Sequence, residues 1–298
     1  MAKTDIAALL AVAAALMIAI GDVLEQQSAQ QITDKPVGVV ALFGRLLRDR
    51  RWWAGSLVAG AGFGLQAAAL GLGSVVLVQA LLVTSLLFAL LINAKVNHRR
   101  ITRWQGIWAV LLVAAVAVVV TVGNPQAGNP RGSFHTWAVV AAVMGPALIA
   151  CVIGARMSSS SVRALLLGLV SGSLWGLFSV LTKGLVDQLD HGISALLRMP
   201  ELYVWAVLAI AATALEQSAF RAGPLTASLP AATVSEPIVG SVLGVTVLGE
   251  TLNTNNIGLV ALGMSVAVMA AATVALAHSQ AAASSAIDER PRPTSKNT

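Results

Sequence analysis

The sequence predicts an all-α integral membrane protein of about nine transmembrane helices, arranged as two inverted four-helix repeats joined by a central helix. Three observations carry this. The 298 residues are 57% hydrophobic and only 11% charged, with a mean hydropathy of +0.80. A soluble domain holds about 25% charged residues. The apolar residues fall in runs of about 18 or more, the length needed to cross a bilayer core. Those runs repeat in order: one span, a short segment, then three spans, on either side of a middle span. In lipid each span must be helical, since only a helix satisfies its own backbone polar groups.

The predicted spans are 6–24, 53–72, 74–93, 104–122, 136–155, 163–183, 202–220, 225–248 and 256–277. The first has Lys3 ahead of it, offset by Asp5, and no cleavage site before Asp22, so it reads as a retained helix and not a signal peptide. Asp22 and Glu25 end it and are expected in water. Segment 36–47 is about 18 Å long as a helix at about 1.5 Å per residue. It carries Arg45 and is expected to lie on the membrane surface. Segment 192–199 holds the corresponding place in the second half. Trp52-Trp53 opens the second span, and Tyr203 and Trp205 open the seventh, at interfaces where such rings settle. Gln66 and Gln217 lie 151 residues apart, and Gly73 and Gly223 lie 150 apart, at like places in their helices.

The transmembrane domain is therefore 1–280, with repeat one at 1–125, the connecting helix at 136–157 and repeat two at 158–280. The odd connecting helix turns the second repeat over, the arrangement in which secondary transporters place a site near the midplane. The polar tail, 281–298, is expected to be disordered and cytoplasmic. Charge sets the orientation. Of 19 Lys and Arg, 15 fall in loops on one side and 4 on the other, which places the N-terminus outside and the C-terminus in the cytoplasm. The net charge of +6 is read the same way, as headgroup contacts, so no nucleic-acid partner is expected. The Ala, Val and Gly content points to a bacterial cytoplasmic membrane. The partners expected are the lipid bilayer and a small polar or ionic solute, and a homodimer is a possible assembly.

Polar groups deep in lipid carry the chemistry, because each is costly unless paired or functional. Glu236 is twelfth in a 24-residue span, followed by Pro237 and preceded by Pro230. Proline removes a backbone donor and frees a carbonyl one turn back, so a broken helix is expected there. Glu216 and Gln217 lie late in the seventh span and Gln66 late in the second. Gln79, Thr84 and Ser85 polarise the third. The candidate pathway residues are Gln66, Gln79, Lys183, Glu216, Gln217, Glu236 and Pro237, with Lys183 expected to reach up to the interface. Two sets of glycines, Gly60, Gly62, Gly64 and Gly168, Gly172, Gly176, are expected to be close-packing faces. The single cysteine, Cys151, lies in an apolar run and forms no internal disulfide. His98, His135, His191 and His278 have no metal-ligand spacing, and no Gly-rich phosphate loop with a Lys is present. The chain is expected to be no enzyme and to hold no cofactor.

Glu236-Pro237, followed by Gly249-Glu250 and Thr251-Leu252, resembles the EamA-type signature of the drug/metabolite transporter superfamily. Within it the chain is most similar to the NIPA-like magnesium-transporter group, through Trp52-Trp53-Ala54-Gly55, Ala61-Gly62 and Lys183-Gly184-Leu185. Gln66 and Gln217 match a family Asn in each half, and Pro230 matches a Thr-Pro. The resemblance runs to about residue 277 and implies a nine-helix transporter. Three positions depart from it. Phe63 stands where that group has an acid, Gln79 where it has proline, and Gln26-Gln27 where it has a basic cluster. A hard divalent cation wants oxygen ligands. The expected cargo is accordingly a small polar or charged solute carried by alternating access, with magnesium as the alternative. A non-transporting membrane scaffold is the alternative of another class.

Overall fold

The computed structural model describes residues 2–32, 50–96, 100–223 and 225–288. It is helical apart from one two-residue strand pair. The helices are α1 (Ala2–Ile32), α2 (Arg50–Leu72), α3 (Val75–Leu82), α4 (Ser85–Val96), α5 (Arg103–Thr121), α6 (Phe134–Met157), α7 (Ser160–Leu189), α8 (Ile193–Leu197), α9 (Pro200–Ala222), α10 (Leu225–Leu248) and α11 (Asn256–Asp288). Among the described residues they make nine spans long and apolar enough to cross a membrane, with α3 and α4 sharing one. The protein is thus a multi-pass membrane protein. The surface segment expected at 36–47 lies outside the described residues. Its expected counterpart at 192–199 contains the short helix α8.

Local chemistry starts the helices. Ser74 caps α3 by accepting from the Leu77 N–H. Thr102 and Gln105 form a reciprocal capping box on α5, which satisfies two donors a helix start leaves open. Pro200 opens α9, where its missing N–H is not needed. The last helix continues to Asp288, past the end expected near 277. The residues after 280 are rich in alanine, the best helix former, so helix propagates through them.

Two departures concern where a helix breaks. The α10 helix is continuous from Leu225 to Leu248 with both Pro230 and Pro237 inside it, contrary to the expected interruption beside Glu236. Thr233 Oγ1 donates to Leu229 O at 2.9 Å and Ser235 Oγ to Ala231 O at 2.8 Å, each one turn back along the same helix. Membrane helices carry proline without ending where neighbouring helices pack around them, as α7 does here. The interruption lies in the third span, which has no proline. At Val83–Thr84 the ladder changes register: the N–H groups of Thr84, Leu86 and Leu87 bond to carbonyls three residues back. Thr84 Oγ1 also donates to Leu81 O at 2.6 Å. A hydroxyl competing for the backbone and a three-residue register in mid-span mark a hinge.

Small residues bring the helices together. On α1, Ala7, Ala11, Ala14 and Ala15 are fully buried against Ala69 and Leu70 of α2 and the α3 valines. The most enveloped single helix is α7, packed on α10, α9, α6 and α2. Gly168, Gly172 and Gly176 form its face to α10, as expected; a Cβ on Gly176 would stand 2.7 Å from Glu236 O and 2.8 Å from Gly240 N. The second glycine set is corrected. Gly62 does press on Ile18, at 2.8 Å from an added Cβ, but Gly60 and Gly64 face open space. Residues two apart on a helix point to different sides, so the three never shared a face. In contrast to the buried α7, α6 packs chiefly on that one helix and leaves Val143, Ile149 and Ile153 exposed to lipid.

After α5 and after α10 the chain forms the strands β1 (Pro125–Gln126) and β2 (Thr251–Leu252), which pair antiparallel. Gly249 has φ +65°, the left-handed conformation glycine accepts at a helix end. That turn sends Glu250 back into the protein, with its N–H on Gly244 O at 3.1 Å.

Candidate functional site

Four side chains at four-residue spacing form a polar stripe down α7: Ser171, Trp175, Ser179 and Lys183. Each engages a different part of the fold. Ser171 Oγ donates to Ala212 O of α9 at 3.0 Å. Trp175 Nε1 donates to Glu216 Oε2, one turn further along α9, at 3.2 Å. Gln66 Nε2 of α2 donates to Ser179 Oγ at 3.3 Å. Lys183 Nζ donates to Glu250 Oε1 at 2.7 Å.

The middle of this stripe adjoins a group of acids from three helices. Glu236 sits half-buried at the midpoint of α10. The carboxyls of Glu216 and Asp22 are near enough for their charges to act on it. Asp22, on α1, is exposed and lies two residues from the end of its span. The three are not bunched tightly. Among the described residues no three His, Cys, Asp or Glu side chains are placed to hold a metal ion together.

Aromatic rings wall the same region. Phe63 of α2 stacks on Trp175 with centroids 6.0 Å apart and planes at 21°. Trp175 meets Phe178 edge-on at 5.2 Å, and Phe178 stacks on Trp205 at 4.8 Å. Phe63 is 42% exposed, so part of its ring is open beyond the Trp175 stack. Phe63 therefore lies against the residue that holds Glu216.

Gln79 of α3 is 1% exposed, and its Nε2 has no hydrogen-bond partner among the described residues. It packs on Gly240, where an added Cβ would stand 2.8 Å from that Nε2. Helix Cβ bonds tilt toward the N-terminus, so the amide covers the turn of α10 between Glu236 and Gly240. By contrast Gln217 is exposed, and the structure does not bring it to Gln66. Pro237 is buried within α10.

Lys183 does not reach the interface as expected. It is buried, and its ion pair with Glu250 is equally buried. The same carboxylate accepts the Val75 N–H at 2.6 Å and the Val76 N–H at 3.0 Å. A carboxylate at a helix start is favoured by the exposed N–H groups and the helix dipole. Glu250 thus closes α3 and ties it to α7. Beyond Lys183 lies a separate cleft lined by Arg131, Trp137, Gly184 and Met199, with Arg131 donating to Gln188.

The sequence reading passes over Trp175 and Ser179, expects Asp22 only in water, and treats Glu250 only as part of a motif. The four-residue spacing of polar and aromatic groups along α7 was the available signal.

Comparison with known proteins gives a relative. The chain is 38% identical over 251 residues to an uncharacterized protein of Corynebacterium glutamicum, across 82% of this chain and 85% of that one. The chain belongs to the same family as that protein. No family model matches it, and no solved structure does.

Proposed function

We propose that this member of the family is a transporter of the drug/metabolite superfamily, similar in layout to the NIPA-like group, that moves a small polar or charged solute by alternating access. The observation that carries the reading is Glu236 at the midpoint of α10, with Glu216 of α9 and Asp22 of α1, each toward the end of its own span, near enough to act on it by charge. Ionisable groups at that depth are costly and mark solute or ion pathways. Glu236 is the proton or cation site, and Glu216, held by Trp175, is its neighbour on the same path.

The helix pairings support two like halves, and the odd connecting helix between them supports their opposite orientation. Helix α1 packs on α2 as α7 packs on α9, and α5, which ends the first half, packs on α11, which ends the second. Rocking of such halves exposes a midplane site to each side in turn. The distribution of Lys and Arg supports a cytoplasmic C-terminus in a bacterial cytoplasmic membrane. Magnesium is the weaker assignment, because the acids are not grouped as ligands and Phe63 stands in the place of a carboxylate.

The test is flux. The full chain is reconstituted in liposomes and screened for uptake of cationic, zwitterionic and anionic solutes, with and without a proton gradient. Glu236→Gln abolishes the flux observed; wild-type rates in that variant contradict the role given to Glu236.

A further inference from the structure

We propose that the site beside Trp175 takes an organic ammonium ion carrying an oxygen acceptor, and that Phe63 and Trp175 supply its aromatic wall. The inference rests on the transport reading for why such a site lies at mid-membrane, but its chemistry stands on separate observations.

The first is the spacing of the acids. Glu216 and Asp22 act on Glu236 through their charges, yet no three acids among the described residues are placed as metal ligands. A compact, hard cation needs several oxygens at short range. A bulky cation with spread charge is satisfied by carboxylates standing further off. The second is the wall. Phe63, partly exposed and stacked on Trp175, lies where Trp175 also holds Glu216. Rings beside carboxylates recognise quaternary and alkylated ammonium groups through the negative face of the π system. Metal ions, which keep or exchange oxygen ligands, gain little from such a wall.

The third observation is Gln79. Its buried Nε2 is unpartnered and covers the α10 turn that begins at Glu236. A buried amide donor left unpaired is costly. It is satisfied by an oxygen on the bound solute, such as a hydroxyl near the ammonium.

The experiment uses the full chain in lipid nanodiscs. Tryptophan fluorescence and thermal stability are followed while choline, tetramethylammonium, the neutral isostere 3,3-dimethyl-1-butanol and Mg²⁺ are titrated. Choline binds saturably and raises thermal stability, and the neutral isostere and Mg²⁺ do neither. Phe63→Leu weakens choline about tenfold, Phe63→Tyr retains binding, and Glu216→Gln also weakens it. Gln79→Leu weakens choline but leaves tetramethylammonium unchanged. Equal binding of choline and its neutral isostere, or choline binding indifferent to Phe63→Leu and Glu216→Gln, overturns the proposal. The two readings fail differently. Choline bound but never carried across liposomes overturns transport and leaves the site standing. A solute carried by a protein that binds no organic cation overturns the site and leaves transport standing.

Discussion

Lys183 and Glu250, 67 residues apart in sequence, meet as a buried ion pair 2.7 Å long. The Glu250 carboxylate also accepts two backbone N–H groups at the start of α3. One acid thus joins the turn after α10, the C-terminal part of α7 and the first turn of the third span. Removing one partner leaves an uncompensated charge in a dry place. Lys183→Met is expected to cost roughly 3–5 kcal/mol, read as a lower unfolding temperature in detergent. The double variant Lys183→Met, Glu250→Gln loses less, because the Gln oxygen still accepts at the helix start. Equal losses in the single and double variants contradict the pairing.

The glycines of α7 and α2 predict opposite outcomes for one kind of substitution. A Cβ on Gly176 meets the backbone of α10 at Glu236 and Gly240, which cannot swing aside. Gly176→Ala is expected to destabilise by about 1–3 kcal/mol through overpacking. Gly60→Ala, facing open space, is expected to be neutral or slightly stabilising, since alanine favours helix over glycine. Thermal unfolding of the two variants side by side checks this.

The hinge in the third span predicts a local pattern of hydrogen exchange. The amides of Thr84, Leu86 and Leu87, bonded in the three-residue register, are expected to exchange faster than those at 76–80, where α3 is fully buried. Uniform protection across the whole span contradicts a hinge there.

The spans were legible because lipid forces a long apolar run on every helix, and hydropathy reads that run directly. What joins them was not legible. The Lys183–Glu250 pair links the C-terminal part of α7 to the turn after α10 and the start of α3, and nothing local to Lys183 announces its partner. Proline chemistry alone places the interruption at Glu236-Pro237, whereas α10 runs through both prolines and the ladder changes register at Thr84. Of the site, Glu216 and Glu236 were visible as isolated acids in apolar helices. Trp175 stands in a four-residue polar stripe, but its role is not legible until the fold brings Phe63 and Glu216 to it.

Magnesium offers a direct discrimination. A ligand that binds the folded state raises apparent stability with the logarithm of one plus its concentration over its dissociation constant. With the acids spread across three helices, millimolar Mg²⁺ is expected to leave the unfolding temperature of the purified protein unchanged. A saturable rise contradicts the assignment of the site to a larger cation.

The central claim is that Glu236 faces a water-accessible crevice within the membrane. Its most direct test is thiol labelling of Glu236→Cys with a charged, membrane-impermeant methanethiosulfonate reagent. The background carries Cys151→Ser, which removes the single native cysteine, and Asp22→Cys serves as the exposed reference. The account predicts that position 236 is modified from at least one face of sealed vesicles, and that added solute slows the reaction. No modification from either face, in vesicles where position 22 reacts, would contradict it.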